Sequence, residues 1–176
     1  MMKLLMIFSY FTDGFAYAGE ALTGKYIGAG DRAMMRQTVI WTFVWSMSIA
    51  VAFMGIYHFA GVPMLKMMTS DAVVVQASRE YLPWLLLMPV VGCAAFTWDG
   101  IYIGATASRQ MRNSMLWAVA AFGMVWSAGI VFLNYSVQPE RYGRMAMHVL
   151  MGAYFAHLLA RTIYLSVRYR TISQML

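Results

Sequence analysis

Residues 96 to 105 read FTWDGIYIGA, and residues 11 to 20 read FTDGFAYAGE. Each sets an aspartate-glycine pair, Asp13-Gly14 or Asp99-Gly100, inside a long apolar run, and the first adds a second acid, Glu20. The length of those runs decides the fold class. A helix that crosses a hydrocarbon core needs about 20 predominantly apolar residues. Five stretches reach that length, at 4–29, 39–60, 81–107, 115–135 and 145–167. The expectation is an all-α, polytopic membrane helix bundle of about five transmembrane helices, with residues 1–176 as one unit.

Composition points the same way. Of 176 residues, 61% are hydrophobic and only 11% charged, whereas ordinary soluble domains are roughly a quarter charged. No segment is polar enough to shield the rest from water. The formal net charge of +6 sits in short clusters between apolar runs, which suits membrane topology and argues against a nucleic-acid partner. Cys93 is the single cysteine, so no intrachain disulfide or cysteine-based metal site can form, and it reads as a small packing residue. His58, His148 and His157 lack the spacing of adjacent metal ligands. No metal and no cofactor is expected. The start, MMKLLMIFSYF, has the lysine and apolar core of a signal peptide, but the apolar stretch runs on to about Ala29 without a cleavage site.

The connectors alternate in charge. Lys25, Arg32 and Arg36 lie between the first two spans, Arg109 and Arg112 between the third and fourth, and Arg168 and Arg170 after the fifth. Lys66, Arg79, Arg141 and Arg144 occupy the other two connectors and are offset by Asp71, Glu80 and Glu140. The positive-inside rule puts the first set and the C-terminus in the cytoplasm and the N-terminus outside. A chain that starts outside, with no preceding inward segment, is expected to begin partway through a larger unit. FTDGFAYAG and FTWDGIYIG fall on two spans of one direction, as in a duplicated module. Pro83 and Pro89 imply an irregular start or kink in the third span, and Gly92, Gly100 and Gly104 allow close helix approach.

A carboxylate at the centre of a membrane helix costs about 2.5–3.5 kcal/mol on insertion scales. Asp13, Tyr17 and Glu20 follow i, i+4, i+7 and share a helix face; Asp99, Tyr102 and Thr106 follow i, i+3, i+7 and should do the same. Carboxylates held away from water suit reversible protonation or cation binding, which makes Asp13, Glu20 and Asp99 candidates for ion coupling. The competing assignment is structural, each acid bonding a broken or neighbouring helix. His157 and Arg161, one turn apart, allow a proton relay, but interhelical hydrogen bonding with Arg161 snorkelling to the interface is expected. The run GAGD at 28–31 fits the GxGD pattern of intramembrane aspartyl proteases, yet Asp31 is followed at once by Arg32 and reads as a helix stop.

The runs DGFAYAGEALTGKYIGAGDR (13–32), YLPWLLLMP (81–89) and AAFTWDGIYIGATASRQMRNSM (94–115) strongly resemble the C-terminal lobe of multidrug and toxic compound extrusion (MATE) transporters, in particular their DinF-like branch. The resemblance extends from Asp13 through the last span. It implies a twelve-helix fold of two six-helix lobes, of which this chain would hold the eighth to twelfth helices, with the N-terminal lobe and seventh helix missing. It also implies a multi-pass protein of a bacterial inner (plasma) membrane, not an enzyme, that exports organic, cationic or lipophilic compounds against inward movement of H+ or Na+. Tyr17, Trp98 and Tyr102 would then supply aromatic contacts to a flat or cationic substrate. The N-lobe aspartate of many relatives has no counterpart here. Asp99 lies deeper along its helix than the cation-binding acid of another branch, so that site is not transferred to it. The alternatives are an orphan half-transporter acting as a membrane interaction protein and, more remotely, a GxGD-type protease.

Overall fold

Apolar runs bounded by glycine and acid stops should form helices, because in hydrocarbon only a helix satisfies every backbone group within its own segment. The computed structural model describes residues 2–136 and 138–173, and among them no strand occurs. The helices are α1 (Met2–Gly28), α2 (Arg32–Met68), α3 (Ala72–Arg79), α4 (Leu82–Gly104), α5 (Ser108–Ser136) and α6 (Pro139–Ser173). The all-α membrane bundle is the fold observed.

Local chemistry sets the boundaries. Gly30 takes φ 68°, the left-handed conformation that lets a glycine close a helix, and Asp31 then caps α2 by accepting from the Met34 amide at 2.9 Å. GAGD therefore ends one helix and starts the next. Leu82 opens α4 and Pro83 lies in its first turn, where the missing donor costs nothing. At the other end Thr106 has φ 52°, so α4 stops at Gly104, short of the expected 107, and Thr106 leaves the face shared by Asp99 and Tyr102.

Two elements differ from expectation. Helix α2 has 37 residues, about 55 Å at 1.5 Å per residue, and overruns the expected 39–60 at both ends. Helix α3 was not anticipated; it is nucleated by Asp71, which accepts from the Val73 and Val74 amides at 2.8 and 3.4 Å. Helices α2, α4, α5 and α6 are long and apolar enough to cross a membrane. Helix α1, with 27 residues, has the length but carries Lys3, Asp13, Glu20 and Lys25, which lowers its apolarity.

Helix α4 is the centre of the bundle: α1, α2 and α6 pack on it, and α5 packs chiefly on α6. Cross-helix bonds give the directions. Trp84 meets His148 and Tyr102 meets Leu165, so α4 and α6 run parallel. Gly100 meets Ala16 and Gly104 meets Glu20, so α1 and α4 are parallel too, while Tyr57 bonding to the Leu4 carbonyl makes α2 antiparallel to α1. The three basic connectors consequently share one end, where the Tyr169 hydroxyl reaches Met35 Sδ at 3.9 Å. At the opposite end Arg144 pairs with Glu80 at 3.2 Å. The side chain of Glu140, assigned above to that end's charge balance, lies outside the described residues.

Small residues make the α1–α4 contact. A side chain built at Gly100 would collide with the backbone of Ala16, and one at Gly104 with the backbone of Glu20. The GxxxG spacing thus sets backbone against backbone. Gly100→Ala or Gly104→Ala should therefore destabilise the bundle by about 1–3 kcal/mol, the usual cost of overpacking. Gly14→Ala and Gly123→Ala, where an added methyl meets nothing, should not. Thermal unfolding of the detergent-solubilised protein separates the two classes, and equal behaviour of all four variants would refute the contact.

Candidate functional site

On α4, Trp98, Asp99 and Tyr102 all turn toward α6. Tyr102 is fully buried and its hydroxyl donates to the Leu165 carbonyl at 2.6 Å. The Trp98 indole N–H donates to Ser166 Oγ at 2.9 Å, and its ring packs edge-on against Phe43, with centroids 4.8 Å apart. Both rings are used up in joining α4 to its neighbours. Tyr17, on α1, is 69% exposed and is the one aromatic candidate with an open face.

Asp99 meets Arg161 of α6, Oδ1 to Nη2, at 2.8 Å. Arg161 is 8% exposed, which corrects the expectation that it snorkels. The reason is pairing: a guanidinium turned toward the interface would leave Asp99 buried without a counter-charge. The guanidinium instead finds the one carboxylate on the facing helix. The contact is short but poorly aligned, and Asp99 Oδ1 and Arg161 Nε have no hydrogen-bond partner among the described residues.

The Ala16–Gly100 contact between the parallel α1 and α4 sets Asp13 at nearly the level of Asp99, about 3 Å apart along the helices at 1.5 Å per residue. On α6, Tyr154 and His157, the latter one turn before Arg161, stack with ring centroids 6.2 Å apart. The six sequence candidates thus divide three ways. Asp13 and Asp99 lie at nearly one level of the parallel α1 and α4, Trp98 and Tyr102 hold α6, and Tyr17 and Glu20 make no hydrogen bond or ion pair among the described residues, although the Glu20 backbone meets Gly104. Arg161 is committed to Asp99, and Asp13 makes no ion pair among the described residues. Next to this cluster is an apolar cleft of about 310 Å³ bounded by Met6, Met88, Phe96, Phe122, Leu150 and Tyr154. Ser9, also on its wall, is one helical turn from Asp13.

Arg161 is the residue that sequence reading misplaced. A lone arginine deep in one span and a lone aspartate deep in another are usually each other's partner, since an unpaired charge is expensive there. Among the described residues no three His, Cys, Asp or Glu side chains cluster as metal ligands.

An all-α bundle of long apolar helices, with a deep aspartate and a deep arginine paired across two of them, is a polytopic membrane protein. Residues 1–128 match the family model of MatE, and the chain belongs to that family, the MATE proteins. It is 37% identical over 126 residues to the DNA damage-inducible protein F of Escherichia coli (strain K12), a match covering 70% of this chain and 27% of that protein. The chain thus spans about a quarter of the length of this curated relative. No solved structure matches it. The family match ends within α5, so α6 and Arg161 lie beyond it.

Breaking the ion pair from one side should be worse than removing it. Arg161→Gln leaves Asp99 buried without its counter-charge and should cost about 3–5 kcal/mol, whereas Asp99→Asn combined with Arg161→Gln should recover most of that loss. A double-mutant cycle on thermal unfolding in detergent measures the coupling. Simple additivity would mean that the two side chains do not act as a pair.

Proposed function

We propose that this chain is the C-terminal-lobe part of a secondary active exporter that moves organic, cationic or lipophilic molecules out of a bacterial cell in exchange for H+ or Na+. Family membership over residues 1–128, which include both deep acids, carries the proposal. The charge count supports it. With Arg161 committed to Asp99, Asp13 has no counter-charge among the described residues, and a single proton or sodium ion would neutralise it. Charge cancelled in this way lowers the cost of turning the cluster from one aqueous side to the other, as alternating access requires.

In this scheme Asp13 is the acid that exchanges its cation, and Asp99 shares the duty through Arg161. Tyr17 offers the open aromatic face for substrate, while Trp98 and Tyr102 keep α4 and α6 in place. The missing N-terminal lobe is the obligatory partner, the membrane is the bacterial inner membrane, and the basic end with the C-terminus faces the cytoplasm. A second reading is an orphan half-transporter that pairs with another lobe. The DNA in frame upstream of Met1 distinguishes them, since seven further apolar spans there belong only to the exporter.

The functional test is resistance to a cationic dye in drug-sensitive bacteria expressing the reading frame that contains this chain. Asp13→Asn should abolish the added resistance at unchanged membrane abundance, and Asp99→Asn should reduce it. If both variants protect as well as the unmodified protein, neither acid couples ion movement to export.

A further inference from the structure

Helices α5 and α6 enclose a second groove, of about 510 Å³, on the side of the bundle away from Asp13 and Asp99. Its walls are apolar, formed by Trp117, Met124, Ala160, Ile163 and Tyr164, and Arg168 lies at one end. From Ala160 to Arg168 the groove follows α6 for about 12 Å at 1.5 Å per residue. The Arg168 guanidinium lies over the Tyr164 ring, 6.0 Å from its centroid, and makes no ion pair among the described residues. It sits at the end of the bundle that also carries Arg109, Arg112 and Arg170.

A lipid-facing groove that is apolar along its length and cationic at its membrane-surface end has the polarity of one kind of molecule. We propose that it is a binding site for an anionic phospholipid, with an acyl chain along Trp117, Met124 and Ile163 and the phosphate at Arg168. Basic pockets between transmembrane helices bind acidic headgroups in this manner. A neutral lipid could fill the groove but would leave Arg168 without an opposite charge. A second protein helix would cover the apolar wall and bury Arg168 unpaired unless it brought an acid.

The full chain, purified in detergent, is titrated with phosphatidylglycerol or phosphatidylcholine brominated on the acyl chains, and tryptophan quenching is read. Brominated phosphatidylglycerol should quench at a lower mole fraction than brominated phosphatidylcholine, and the component showing that preference should be lost in Trp117→Phe while quenching of the exposed Trp41 and Trp45 remains. Arg168→Gln should weaken the preference for the anionic lipid roughly fivefold, the contribution of one basic residue near a charged surface, and Arg168→Lys should keep most of it. Equal quenching by the two lipids, or a preference untouched by Arg168→Gln, overturns the assignment. So does competition by soluble glycerol phosphate at millimolar concentration, which would make the site one for free phosphate. A dimer whose dissociation alone exposes Trp117 to quenching would overturn it as well, since a second copy would then occupy the groove.

Discussion

A guanidinium held in hydrocarbon must be matched by an opposite charge, and the rest of this bundle is arranged around that demand. Arg161 is buried and paired with Asp99, so α6 has to lie where α4 presents that acid. Trp98 and Tyr102, one position before and three after Asp99, then fall against Ser166 and Leu165 and bond to them. Directional contacts on one side of the ion pair thus fix the rotation of both helices, and the apolar cluster of Trp98, Ile101, Tyr102 and Leu165 fills the space between them. On the opposite side of α4 the constraint is steric. Gly100 and Gly104 admit the backbone of α1, which is what brings Asp13 within electrostatic range of Asp99. One helix therefore gathers two acids and a base by two different physical means.

Much of this was legible in the chain. Five apolar stretches, Pro83 at a helix start, the GAGD stop and the small-residue spacing of Gly100 and Gly104 are local or periodic signals, and each corresponds to a feature of the fold. Family membership was legible too, from DGIYIGAT and its neighbours. What failed was the assignment of direction. Periodicity says that Asp99 and Tyr102 share a face, but a face can point to a cavity or to another helix, and only packing decides. The same gap produced the error at Arg161. Its partner is 62 positions away in sequence, and no local pattern in either span marks the other as its counter-charge. Thr106 was lost for another reason: no simple pattern marks a threonine that adopts a left-handed backbone.

Burial also separates the candidates by what they are free to do. Trp98 and Tyr102 have their polar atoms committed to α6, and Asp99 is committed to Arg161 in a contact that leaves Nε without a partner. Asp13 is half-buried and makes no ion pair among the described residues. A side chain that titrates or exchanges a cation has to be reachable by water at some stage, and one that aligns helices does not. On that criterion the two matched segments, FTDG and FTWDG, are alike in sequence and differ in how their acids are held.

The connections at the basic end have a mechanical meaning. Only three residues separate α1 from α2, and three separate α4 from α5, and both turnarounds use a residue in the left-handed conformation. Such tight corners act as welds, so a change in the angle between α1 and α2 would have to break a helix cap first. The link from α2 to α4 is long enough to hold a helix of its own. If the first hairpin moves against the remainder, the covalent pivot is therefore this link at the α3 end, and the basic end, farthest from it, travels most.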